Sequence, residues 1–131
     1  MIVVDMGTAT TMAVLDKDGS HIGGSIMPGV KISMEALKER TALLPGLQLD
    51  KPRGAIGRST VDAMRSGVML GAACMIDGMI ERIWQELGYE TKVIATGGIA
   101  RFIVPLCKTH ILYEQDLVIR GLAYLYQANQ G

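Results

Sequence analysis

Ile2-Val3-Val4-Asp5-Met6-Gly7-Thr8-Ala9-Thr10-Thr11-Met12-Ala13-Val14-Leu15 is the stretch on which the fold turns. Ile2 to Asp5 is a short β-branched run, and Thr10 to Leu15 is a second. Met6-Gly7-Thr8-Ala9 between them is short enough for an antiparallel hairpin. Working outward, Asp16-Lys17-Asp18-Gly19 reads as another turn, with glycine able to supply positive φ. Ser20 to Met27 predicts a third strand, loosened by Gly23 and Gly24, and Pro28-Gly29 closes it. Three strands with short connections predict an antiparallel meander.

Beyond the meander, Ser33 is a candidate N-cap for a helix through Arg40, with Glu35 in its first turn. Residues 41–57 read as an irregular connection carrying Pro45 and Pro52. Connections of this length inside a domain are often functional. Ser59 or Thr60 then caps a long helix that stops at Gly88 after Leu87. Val61, Met64, Val68, Met75, Met79 and Ile83 recur at helical spacing and predict its core face. Gly67, Gly71, Cys74 and Gly78 make a second stripe, of small residues. Glycine inside a helix costs up to about 1 kcal/mol relative to alanine, so the stripe predicts that something packs closely on it. Thr91 to Ala95 predicts a strand, Ile99 to Cys107 a helix and Thr109 to Tyr113 a last strand. Asp116 is placed to cap a final helix through Ala128. The order βββ-α-α-β-α-β-α predicts an α/β domain, a mixed sheet with helices on its faces.

The composition narrows the function classes. With 131 residues, 49% hydrophobic and 20% charged, the chain is that of one globular domain. Thirteen basic residues balance thirteen acidic ones, and no basic cluster suggests a nucleic acid partner. Cys74 and Cys107 lack metal-ligand or CxxC spacing and read as reduced core residues of a cytoplasmic protein. The uncharged helical run Ser66 to Ile76 is short for a bilayer, and Asp62, Arg65 and Asp77 argue against a membrane helix. Asp62 and Arg65, at i,i+3, read as a solvated pair. Trp84, Tyr124 and Tyr126 read as packing residues, and the nine methionines as core filler.

Two glycine-bearing turns follow predicted strands: Asp5-x-Gly7-Thr8 and Thr96-Gly97-Gly98. The first gathers backbone N–H groups, hydroxyls and a carboxylate, a set able to hold a phosphate beside a neutralising cation. Taken singly, one reads equally well as a plain hairpin turn and the other as a helix-start loop. Their pairing, each after a strand, is what favours phosphate chemistry. Neither a Walker A lysine motif nor GxGxxG is present, which excludes the P-loop and dinucleotide readings.

The segments DMGTATT (5–11), GGSIMPG (23–29), ALKERTALLP (36–45), IGRSTVDAMRSG (56–67) and VIATGGIA (93–100) together resemble type III pantothenate kinases, in order and spacing. The resemblance covers essentially the whole chain. It implies an actin-like (ribonuclease H-like) domain of the actin, acetate kinase, Hsp70 and sugar kinase superfamily. It further implies ATP-dependent phosphorylation of pantothenate, the first step towards coenzyme A, by a homodimer using Mg²⁺ and a monovalent cation, K⁺ or NH₄⁺.

Carried over by position, Asp5 is the expected cation ligand, and Gly7 and Thr8 the expected ATP phosphate contacts. Gly97 and Gly98 are the expected loop for adenosine, and Thr60 the expected pantothenate contact, serving the partner subunit through helix 60–87. Arg40 and Thr41 are expected to line the site or support it. In the family a first domain precedes DMGTATT and carries a second phosphate loop and a GxDR aspartate, the general base. Residues 1–131 are therefore expected to be one domain, the second, with no catalytic base in this chain. Such a chain is expected to be inactive alone, being either a shortened piece of the enzyme or one half of it, with a separate chain carrying the first domain. The competing expectation is a non-catalytic actin-like module that binds nucleotide, dimerises or regulates a partner. A DNA-binding relative of the kinases is disfavoured by the neutral charge and the lack of a helix-turn-helix.

Overall fold

The computed structural model describes residues 1–40 and 50–129. Its elements run β1 (Ile2–Met6), β2 (Ala9–Leu15), β3 (His21–Pro28), α1 (Val30–Arg40), α2 (Thr60–Leu87), β4 (Val93–Thr96), α3 (Ala100–Ile103), a 3-10 turn at Val104–Leu106, β5 (Leu112–Tyr113) and α4 (Leu117–Ala128). They build one five-stranded mixed sheet in the order β3-β2-β1-β4-β5. β1, β2 and β3 form an antiparallel meander, and β4 and β5 join parallel to β1.

Alternation decides which sheet face is covered. Ile2, Val4 and Met6 of β1 are buried, with Met12 and Val14 of β2 and Val93 and Ala95 of β4. Register places Ile2 opposite Val14 and Val93, and Val4 opposite Met12 and Ala95, so these side chains share one face. α2 lays Met69, Ala73, Ile76 and Ile80 onto that face at i, i+4, i+7 and i+11. Ile99, Ala100 and Ile103 complete the core.

The buried stripe of α2 matches the one its sequence suggests only in part. Of the expected core positions Val68 is buried and Met79 and Ile83 pack partly buried against the core, while Val61 and Met75 are exposed. The helix has two apolar faces, and the sheet takes the one built on Met69, Ala73, Ile76 and Ile80. The other lines an open groove against α1. By length and composition Thr60–Leu87 is also apolar enough to cross a membrane. In this fold it is the helix that covers the sheet, with Asp77 bonded to the chain before β5.

Both ends of α2 are capped. The Ser59 hydroxyl accepts the Asp62 N–H at 3.1 Å. Gly88 adopts φ 83° and donates its N–H to the Trp84 carbonyl at 2.8 Å. The Ser66 hydroxyl donates to the Ala55 carbonyl at 2.7 Å, tying the preceding loop to the helix. Trp84 packs on the core and donates its indole N–H to Thr91 at 3.0 Å, fixing the entry to β4.

Several local expectations are corrected. α1 begins at Val30, with the Gly29 carbonyl accepting the Ser33 N–H at 3.0 Å, so Ser33 lies inside the first turn and caps nothing. The helix after β4 ends at Ile103 and tightens into a 3-10 turn because Pro105 cannot continue the α ladder. β5 keeps only Leu112 and Tyr113, since the Lys108 and Thr109 N–H groups bond Asp77 instead of a strand. Asp116 sits at the N-cap of α4 without a side-chain capping bond. Cys74 is exposed and Cys107 half-buried, so neither is a fully buried core residue. Asp62 and Arg65 pair at 3.3 Å but are largely buried, unlike a solvated pair. Tyr124 and Tyr126 are exposed. Thr41, Pro45 and the Arg40 side chain lie outside the described residues.

Candidate phosphate and nucleotide site

The site follows from one adjacency. β1 and β4 are parallel neighbours, with Asp5 opposite Thr96, so the turns that follow them emerge side by side at the carboxyl edge of the sheet. Gly97 has φ 104°, a conformation that side-chain-bearing residues rarely adopt. A Cβ on Gly97 would stand 2.5 Å from the Met6 carbonyl oxygen and 2.8 Å from the Met6 nitrogen. The second turn thus lies directly on the backbone that leads into the first. The Ile99 N–H, donating to the Met6 carbonyl at 3.3 Å, fastens the two together.

The first turn is a three-residue hairpin loop, Gly7-Thr8-Ala9 between the paired Met6 and Thr10, braced by the Gly7 N–H donating to the Ala9 carbonyl at 3.1 Å. Thr8 is exposed. Asp5 lies on the sheet face opposite α2, exposed, and a Cβ on Gly7 would be 3.8 Å from its Oδ1. Gly98 is exposed with open space around its Cα. Asp5, Gly7, Thr8, Gly97 and Gly98 therefore share one end of the sheet, where open α/β sheets hold their ligands.

Thr60 is placed elsewhere. It is exposed at the start of α2 and lines an apolar groove of about 650 Å³ between α1 and α2, with Pro28, Val30, Met64, Gly67 and Gly71. Among the described residues nothing approaches within 4 Å of a Cβ built on Gly67, Gly71 or Gly78, so the small-residue stripe is open and α4 does not cover it. The groove nevertheless adjoins the first turn. Gly29, which follows Pro28, lies so close to the Thr8 carbonyl that a Cβ there would collide with it. The sequence marks Gly29 only as the end of a strand. Its role in seating α1 against the Gly7-Thr8 turn shows only once the two are folded together.

Thr96 and Cys107 complete the surroundings. Thr96 is buried and donates its hydroxyl to the Gln115 carbonyl at 3.3 Å, linking the end of β4 to the start of α4. Burial first, then the nearby Asp77 charge and Cys74, pushes the Cys107 thiol up to about 12, which makes it a neutral packing group and no nucleophile. Among the described residues no three of His, Cys, Asp and Glu gather as a metal cluster.

The sequence profile of the type III pantothenate kinases matches residues 1–82. The chain belongs to that family. The type III pantothenate kinase of Rhodospirillum rubrum is 42% identical over 130 residues, covering 99% of this chain and 51% of that protein. That of Thermomicrobium roseum is 47% identical over 127 residues, covering 97% of this chain and 49% of that protein. This family member thus spans about half the length of the curated relatives it matches. A crystal structure of a Campylobacter jejuni protein of the Baf family of transcriptional activators superposes with a TM-score of 0.72 at 26% identity, covering 98% of this chain and 58% of that one.

Proposed function

We propose that this chain is the actin-like second half of a pantothenate kinase, and that it supplies part of the site at which ATP phosphorylates pantothenate on the way to coenzyme A. The observation that carries this reading is the seating of Gly97 on the Met6 backbone, which joins the two glycine turns into one cradle. Gly7 and Thr8 hold ATP phosphates through backbone N–H groups and a hydroxyl, and Gly97 and Gly98 present a bare surface to adenosine.

The donors around Asp5 fit the expected ions. A carboxylate with carbonyl and hydroxyl oxygens suits hard cations. Asp5 holds the monovalent cation, K⁺ or NH₄⁺, and Mg²⁺ arrives with the nucleotide. These ions offset phosphate charge, which is most of what phosphoryl transfer asks of its surroundings.

Thr60 contacts pantothenate in the partner subunit's pocket of a homodimer formed along α2. The general base lies outside residues 1–131 and is supplied by a separate chain or by further sequence, so the isolated chain is inactive. The location is cytoplasmic, with no nucleic acid and no membrane partner.

Calorimetry with ADP tests the site. Wild type binds weakly, whereas Gly98→Leu, whose Cβ meets no atom of the described residues within 4 Å, loses binding. Equal affinity of the two, or robust pantothenate-dependent ADP release by the pure chain alone, contradicts the reading. If ADP fails to bind at all, a non-catalytic module that assembles through the open α1–α2 groove is the reading that stands.

A further inference from the structure

Space, not conformation, requires glycine at position 29. Gly19, Gly23, Gly88 and Gly97 adopt positive φ and Gly29 does not, so its backbone would suit an ordinary residue. A Cβ on Gly29, however, would collide with the Thr8 carbonyl oxygen. It would also lie 3.1 Å from the Thr8 carbonyl carbon and 3.2 Å from the Gly7 carbonyl oxygen. Two successive carbonyls of the first turn therefore face the start of α1.

Those carbonyls fix what the turn offers on its other side. Each peptide is planar and trans, with its N–H opposed to its C=O, so the N–H groups of Thr8 and Ala9 point away from α1. The β2 ladder agrees for Ala9. The Leu15 N–H donates to the Met1 carbonyl at 2.8 Å and the Ala9 carbonyl accepts from Gly7, so odd-numbered residues of β2 turn their backbone groups towards β1. Beyond β1 comes β4, which places the Gly97-Gly98 turn on that same side. Two consecutive N–H groups on one side of a turn make a concavity suited to an anion. The contact with α1 has a firm half and a soft half. Met27 and Pro28 pair with Thr10 and Ala9, Val30 is buried, and the Gly29 carbonyl accepts the Ser33 N–H at 3.0 Å. The loop is braced by the Gly7 to Ala9 bond at 3.1 Å, and its Thr8 is exposed. A side chain at position 29 would thus displace the loop, not the helix.

We propose that Gly29 is the positioning residue of the phosphate turn. Having no side chain, it lets the start of α1 back the Gly7 and Thr8 carbonyls, which aims the N–H groups of Thr8 and Ala9 at the phosphates of a nucleotide lying on Gly97 and Gly98. Gly29 itself touches no ligand. The proposal rests on the kinase reading above and names what holds that site in shape. It also makes α1, one wall of the groove that Thr60 lines, the support of the phosphate turn, so a shift of α1 against α2 is felt there.

Amide NMR on the full chain, with ADP, adenosine and inorganic pyrophosphate as probes, tests it. In wild type the Thr8 and Ala9 amides should shift with ADP and with pyrophosphate, and stay still with adenosine. Gly29→Ala should fold and exchange its Gly7 amide at least about tenfold faster, with α2 amides unchanged. It should weaken ADP and pyrophosphate roughly tenfold or more while the response to adenosine is kept, a split that a general loss of stability would not produce. A loss shared equally by ADP and adenosine, ADP affinity equal to wild type, an unaltered Gly7 exchange rate, or a variant that fails to fold each overturns the proposal. So do Thr8 and Ala9 amides that ignore ADP while those of Gly97 and Gly98 respond. If no probe moves any wild-type amide, yet Gly7 exchange still rises in the variant, the kinase reading alone falls and the hold of α1 on the turn stands.

Discussion

The Asp77 carboxylate, on the buried side of α2, accepts the backbone N–H of Thr109 through Oδ1 at 3.0 Å. Its Oδ2 accepts the N–H of Lys108 at 2.8 Å. Two donors that would otherwise be left at the start of β5 are thereby satisfied, and the chain entering the sheet edge is held to the helix that covers the sheet. The link is why β5 is short and why the segment leading to α4 has a fixed origin.

Asp77→Ala should lower stability by about 1.5–3 kcal/mol, the range for a hydrogen bond to a charged group, because both N–H groups lose their acceptor. Asp77→Asn keeps one amide oxygen and should lose less. Urea denaturation ranks the three proteins, and an alanine variant as stable as wild type would show that water replaces the carboxylate.

Gly97 and Gly98 should behave in opposite ways on substitution. Gly97→Ala must abandon φ 104° or collide with the Met6 backbone, so it should unfold earlier and lose ADP binding together. Gly98→Ala meets open space and should melt like wild type. Thermal melts alongside calorimetry distinguish a fold defect from a ligand defect.

The two thiols should separate by reactivity. Cys74 is exposed and should alkylate first at pH 8, while Cys107 stays protonated and lags. An unfolded Cys107 ionises around its ordinary value of 9.0, whereas the folded thiol waits until about 12. Across that window the unfolded chain binds fewer protons than the native one, so the Cys107 contribution falls as pH rises. Cys107→Ala should therefore flatten the alkaline loss of stability, and an unchanged slope would assign that loss to other groups.

Gly71→Leu should leave the fold of one subunit intact, because nothing in the described residues comes within 4 Å of the added Cβ. If α2 stripes meet across a twofold axis, the same leucine overpacks that contact at a typical cost of ~1–3 kcal/mol. Light scattering should then show a wild-type dimer and a folded, much weaker dimer or monomer for the variant. A wild-type monomer at high micromolar concentration would rule out the interface.

Local chemistry made much of the fold legible. The Ile2–Leu15 pattern marks two strands and the hairpin at Gly7-Thr8, Ser59 or Thr60 marks the start of α2, and Gly88 marks its end. Each depends on backbone preferences that act within a few residues. The candidate cradle was legible as two turns. Their contact was not, because it depends on β4 pairing with β1 across almost the whole chain.

The residues by themselves determined the order of strands and helices, which turns carry glycine at the sheet's carboxyl edge, and which family the motifs resemble. Tertiary structure alone decided which of two apolar faces of α2 is buried. Helical spacing permits both, and only the sheet's Ile2, Val4 and Met12 choose Met69, Ala73, Ile76 and Ile80. It alone revealed that Gly24 lies against the Met12 carbonyl and Gly97 against Met6, since a glycine kept for close approach looks in sequence like one kept for a turn. Among the described residues it also left α4 and the glycine stripe of α2 uncovered. Periodicity says that a helix has an apolar face, and only packing shows whether this chain has anything to place on it.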